Sequence, residues 1–437
     1  MTQSGDLADA PRFKRFPCGL GMTEPLPVRR AVPVHPASND THSNRLFDKL
    51  DRPDDDPLGL RRILAQAGRD LYGTKDVQDA ITASYVWLAD QIGHLSLGLI
   101  PTLLYCWAFG GVWACLLAKG HALNDLWRVA GLIAGSALLF LYWVKKELTD
   151  YSDCWNRRGG QFPFDSSDIW WNVKTALFYI GCGSVLAVCA FFGVWWLLAG
   201  FAVLIWPALR IAFWWLKRKV AFQQAGLPFL FRLANFRFGL SALNLAAVGA
   251  IANLKDRQVN FLQVCFGTDQ IAPNAPSVRH VLLTGPLGSG KTTLAVGTGT
   301  EFAFALGIGR YLTAAKLIQS IADTKDTPDD QMELDDGRIL WPLRQSDLLI
   351  VDDLDAGVSV EGGAALHLVR PEDFCNALGG GGASPLLWVG ARRSIWIIGD
   401  KTLAPAWLTA IAQLIGVPGG EILQIDLSAA PAPLPDH

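Results

Sequence analysis

The chain has 437 residues, of which 51% are hydrophobic and 18% charged, with 17 Trp, 22 Phe and a formal net charge of −2. Soluble domains carry about 25% charged residues, so part of this chain is expected to lie in a membrane, and the length allows two or three domains. The 8 cysteines include no CxxC pair, which argues against both a zinc site and a disulfide framework. From Ile271 to the end there are 11 Lys/Arg and 19 Asp/Glu, 11 − 19 = −8, so a basic nucleic-acid surface, and with it a nucleic-acid partner, is not expected.

Residues 1–57 are rich in Pro, Asp and Ser without apolar periodicity and are expected to form a disordered arm. No basic segment followed by an apolar core occurs near Met1, so no cleavable signal peptide is expected. Residues 58–94 place Ile, Leu and Val at helical spacing between charges, the pattern of amphipathic helices leading to a membrane.

Residues 95–216 form the expected transmembrane domain. Leu95–Ala118 is 24 residues without a charge, about 36 Å as a helix and enough for a hydrocarbon core of about 30 Å. A second span is expected at 127–144, with Arg128 and Lys145 reaching for the interface. Thr175–Leu209 contains 35 uncharged residues, roughly 52 Å as one helix, so it must fold back. Spans at 175–194 and 197–216 follow, with the turn near Gly193–Gly200, a kink at Pro207 and a basic end at Lys217-Arg218-Lys219. Lys145, Lys146, Arg157, Arg158 and Lys174 between the second and third spans place that loop, and both termini, in the cytoplasm. The expected location is a bacterial-type cytoplasmic membrane. Residues 217–270 read as a membrane-proximal helical linker. Phe238–Leu254 within it is too short and polar for a fifth span and is expected to dock.

Beyond the linker the pattern changes to α/β. "RHVLLT" reads as a buried strand and Leu294–Leu306 as a helix. Between them lies Gly285-Pro286-Leu287-Gly288-Ser289-Gly290-Lys291-Thr292-Thr293, a phosphate-binding loop in the strand–loop–helix context it requires. Its glycines let backbone N–H groups curl around phosphate at a helix N-terminus, Lys291 reaches the β- and γ-phosphates, and the Thr292 hydroxyl suits Mg²⁺. "DLLIVDDLD" is an apolar strand that delivers Asp352 and Asp353 at its carboxyl end, with Asp352 as the Mg²⁺ partner and Asp353 as the group that polarises water. Further strands are expected at Tyr311–Thr313, Ser394–Asp400 and Glu421–Leu427, completing a five-stranded parallel sheet over 271–428. Residues 429–437 read as a tail.

These segments together resemble the AAA+ ATPase core, most of all its helicase-loader and transposition-helper branch. The resemblance covers roughly 155 residues and none of the membrane part. It implies a P-loop NTPase fold, ATP and Mg²⁺ as cofactors, homo-oligomerisation, and an arginine supplied by a neighbouring subunit. It places Asp400 at the sensor position, where the family more often carries an uncharged polar residue. Asp353 stands where the family usually has Glu, and the helical lid after the fifth strand is expected to be absent. No Arg or Lys follows Thr402, so Arg392, Arg393 and Arg370 are the candidate fingers. The expected function is a membrane-anchored, cytoplasm-facing ATPase that remodels or signals to a protein partner. The alternatives are a nucleotide-binding scaffold with weak hydrolysis, or an ATP-gated pore.

Overall fold

The structure is a computed structural model. It describes residues 59–61, 63–64, 83–119, 125–158, 165–233, 236, 240–252, 261–266, 278–323, 340–355, 357–358, 366–367, 370–378, 384–399 and 401–427. The expected arm at 1–57, the sensor candidate Asp400 and the tail at 429–437 lie outside the described residues.

Among the described residues, four helices are long and apolar enough to cross a membrane: α1 (Ala83–Ala118), α2 (Asp125–Arg158), α3 (Asp165–Phe192) and α4 (Val194–Gln224). Each begins before the span expected from its uncharged stretch, and α2 and α4 also run on past it, because a helix can continue into charged flanks. In α1, α2 and α4 only 11% of the most apolar window is buried by protein, whereas in α3 the figure is 50%. The outer helices thus present bare apolar surface, including Trp107, Trp195, Trp196 and Trp206, which suits a lipid solvent and not water.

Small residues set the packing. A Cβ at Gly98 of α1 would run into the Ile180 carbonyl of α3, and one at Gly183 of α3 into the Leu95 carbonyl of α1. Thr102 donates to Ser184 at the same contact (3.3 Å). Close backbone approach through Gly, with hydroxyls bonded across, is how helices associate where hydrophobicity provides no drive. The turn between α3 and α4 is a single residue, Gly193, at φ 125°, a region that disfavours any side chain. The hairpin it makes is antiparallel: Tyr179 donates to the Ala208 carbonyl (2.8 Å) and Trp215 to Thr175 Oγ1 (3.1 Å). Trp87, Trp171, Trp214 and Trp215 cluster where α1 and α3 begin and α4 ends, so one end of the bundle collects both chain directions.

Two short helices follow, α5 (Ala242–Ala252) and α6 (Phe261–Phe266). Next come β1 (His280–Thr284), α7 (Lys291–Phe304), β2 (Gly309–Thr313), α8 (Ala314–Asp323) and β3 (Leu348–Asp352). The chain continues with a two-residue pair, β4 (Gly357–Val358) and β5 (Leu366–His367), then α9 (Pro371–Ala377), β6 (Arg393–Ile397), α10 (Ala404–Ile415) and β7 (Ile422–Asp426). The five main strands form one parallel sheet in the order β2-β3-β6-β1-β7. β1 and β3 are buried along their whole length, as expected of strands covered on both faces.

Alternation divides the sheet into two cores. Leu282, Leu349, Val351 and Trp396 face α8, α9 and α10. Val281, Leu283, Ile350 and Ile395 face α7, together with Ala221 and Ala225 at the end of α4, Leu227, Leu233, and Val248 and Ile251 of α5. Residues read from sequence as a linker therefore complete the second core of the sheet domain, and α5 packs on α7.

Candidate functional site

The parallel sheet sends the loops after β1 and β3 to the same carboxyl edge, although β6 lies between the two strands. After β1 the chain passes through Gly285, Gly288 and Gly290 at φ 149°, 81° and 85°, conformations that side chains rarely adopt. The curled loop ends at the N-terminus of α7, where Gly290 offers no side-chain cap. The Leu294 N–H bonds to Gly290 O (2.8 Å), which leaves the preceding N–H groups of Lys291, Thr292 and Thr293 outside the helical ladder. Such a terminus is an anion site. Ser289 Oγ is buried in the loop without a hydrogen-bond partner, and Leu287 is fully exposed at its crown.

Lys291 folds its ammonium back over the loop, donating to the Gly285 carbonyl (2.6 Å) and the Pro286 carbonyl (2.9 Å). Burial lowers its pKa from the usual lysine value, while the carboxylates of Asp355, Asp352 and Asp353 pull it up. One cation thus faces three carboxylates at this edge.

Thr292 Oγ1 donates to Asp352 Oδ2 at 2.8 Å, joining residues 60 positions apart. Asp352 is buried at the end of β3, and its other oxygen accepts from the Asp353 N–H (2.8 Å). Asp353 itself is exposed and left-handed, at φ 58°. Partial desolvation in the cleft, then the charges of Asp352 and Asp355, raise its pKa above the usual aspartate value, while Lys291 lowers it. A left-handed turn after an apolar strand costs backbone strain, the sort found at functional sites.

Two residues at this edge escaped the sequence reading. Tyr311 donates from its phenol to Asp352 Oδ2 (2.8 Å), and burial followed by the Asp352 charge raises its pKa from the usual phenol value. Asp355 accepts from the Gly399 N–H through both oxygens (2.8 and 2.7 Å), tying the turn after β3 to the end of β6. Its signal was the third acid in "DDLD"; for Tyr311 the one signal was a polar-tipped aromatic in a strand entering the site.

Arg392 and Arg393 do not join this group. Arg393 opens β6 in register with Leu348 at the start of β3, so it and Arg392 lie at the amino edge, a strand length or roughly 13 Å from the loop. Arg392 pairs with Asp347 and Arg393 lies over Phe302 (5.2 Å). Arg370 is exposed at the N-cap of α9. No cluster of three or more His, Cys, Asp or Glu poised for a metal occurs among the described residues, so a cation here would depend on Thr292, Asp352 and its own bound phosphate.

No family model and no curated protein matches the chain.

Proposed function

We propose that the protein is a membrane-anchored, cytoplasm-facing ATPase with an AAA+-like P-loop core, which couples binding and hydrolysis of Mg-ATP to remodelling of, or signalling to, a protein partner. The reading rests above all on the 2.8 Å bond between Thr292 and Asp352, because it joins a glycine-shaped anion loop to a buried carboxylate at one sheet edge. The orphaned Ser289 hydroxyl and the N–H groups of Lys291–Thr293 that precede the helical ladder fit a polyphosphate, and Thr292 with Asp352 would hold Mg²⁺. Bound there, the ion neutralises charge on the phosphate oxygens. Lys291 binds and orients the phosphates once it leaves its own loop carbonyls. Asp353 polarises water at the mouth of the cleft, and Asp355 holds the end of β6 in place.

Four spans return the chain to one side, so the basic loop that faces the cytoplasm brings the sheet domain there too. Arg392 and Arg393 lie at the far edge, and a second copy supplies the transition-state cation, which makes the active form an oligomer. Hydrolysis by detergent-solubilised protein should rise with protein concentration and vanish in Lys291→Ala and Asp353→Asn. Absence of nucleotide binding by the wild type would sink the reading. Tight binding without turnover would favour a nucleotide-dependent scaffold, the second reading, to which the short, exposed Asp353 carboxylate also lends support.

A further inference from the structure

The fourth apolar helix does not stop at the bundle. Its final turn enters the sheet domain, where Trp341 donates from its indole to the Ala221 carbonyl (3.3 Å) and from its backbone to Gln224 O (2.9 Å). One residue on, the Ala225 carbonyl accepts from the backbone N–H of Tyr311 (2.8 Å). Lys219 of the same helix lies over the ring of Phe304 (4.2 Å), at the last turn of the helix that the phosphate loop begins. The end of α4 thus touches both elements that carry the site.

Tyr311 stands in register with Ile350, so Asp352 is its diagonal neighbour on the same face, within reach of an aromatic side chain. Its phenol donates to the same Asp352 oxygen that accepts from Thr292. A single residue therefore holds the end of a membrane helix by its backbone and the proposed metal carboxylate by its side chain. We propose that Tyr311 is a positioning residue that fixes Asp352 for Mg²⁺ and links the site to α4, so that metal–nucleotide occupancy and the placement of the helix end shift one another. Such a link is reciprocal by thermodynamic necessity. The inference rests on the Mg-ATP reading of the site.

The test uses the full chain in detergent or nanodiscs and a fluorescent ATP analogue, with binding followed as a function of Mg²⁺. Tyr311→Phe should raise the Mg²⁺ concentration for half-maximal binding about tenfold, the usual scale for losing an outer partner of a metal ligand, and leave binding in EDTA unchanged. Hydrogen exchange supplies a second readout: Mg²⁺ with the analogue should slow exchange over 222–227 and 309–313 in the wild type, and less so in the variant. Gly226→Ala provides a perturbation from the helix side, since its Cβ would press on Arg310 Nη1 (3.0 Å) and the Tyr311 carbonyl (3.4 Å). It should move the Mg²⁺ midpoint in the wild type but not in the Tyr311→Phe background. Lys291-dependent nucleotide binding with the same Mg²⁺ midpoint in Tyr311→Phe, or in Gly226→Ala should Tyr311→Phe not fold, would overturn the inference and leave the ATPase reading intact. Additive shifts in the double variant would overturn it as well. Failure of the wild type to bind the analogue would overturn both.

Discussion

The bundle and the sheet domain hold together by different means. In the bundle, backbones meet through Gly98 and Gly183 and most apolar side chains on α1, α2 and α4 face outward. In the sheet domain, apolar side chains of β1, β3 and β6 are buried on both faces, and even a charged pair is drawn inside. The difference is the one expected between a lipid and an aqueous solvent. Lipid offers no reward for hiding leucine, so shape decides; water does, so burial decides. α4 obeys both rules in one helix, with Trp206 exposed midway and Ala221 in the sheet-domain core.

The largest expected effect lies in the sheet domain. Arg232 forms a two-pronged pair with Glu301 of α7 (2.6 and 2.8 Å), whose carboxylate also accepts from the Leu233 N–H (3.3 Å). The side chains are 12% and 3% exposed, so removing one partner strands a buried charge. Arg232→Ala should cost about 3–5 kcal/mol, read as a lowered thermal transition of the sheet domain while the helical signal of the bundle survives. A loss below about 1 kcal/mol would mean that the pair behaves as a surface one.

Gly98→Leu is the matching probe of the bundle, since the added side chain meets the Ile180 backbone. Overpacking of this kind costs about 1–3 kcal/mol, and it should lower the bundle transition without altering nucleotide binding. If both transitions fell together, α4 would be carrying strain between the two regions, and they would not be energetically separate.

What could be read from the sequence divides along the same line. β1 and β3 were legible because a strand buried on both faces is a continuous apolar run, and the loop between β1 and α7 because few other functions need glycines, lysine and threonine in that spacing. The helix limits were not, because uncharged stretches report the lipid and not the helix. Lys217-Arg218-Lys219 looked like the end of a span, yet Arg218 and Lys219 are buried among Trp214, Trp215 and Phe304, and the helix runs on to Gln224. The turn expected near Gly193–Gly200 falls at its first residue, Gly193, while Gly200 packs against Cys189 inside the hairpin. Strand order, which puts β6 between β1 and β3, is set by contacts distant in sequence, and so is the reach of Tyr311 to Asp352.

The smallest expected effect concerns protons in the sheet core. His280 is fully buried in β1, with Nδ1 2.9 Å from Ser394 Oγ across the β1–β6 pairing. Burial lowers its pKa from 6.5, with the nearby Arg279 acting in the same direction and the Gly390 carbonyl and Glu421 opposing. The folded chain therefore binds this proton less readily than the unfolded one. The contribution of neutral His280 to stability is present in full above about pH 6.5 and is lost as pH falls from there through the lowered folded value. His280→Gln, which keeps a polar partner for Ser394, should flatten the decline of the sheet-domain transition between about pH 6.5 and 5 and leave the bundle transition unmoved. An unchanged slope in that variant would assign the acid sensitivity to groups other than His280.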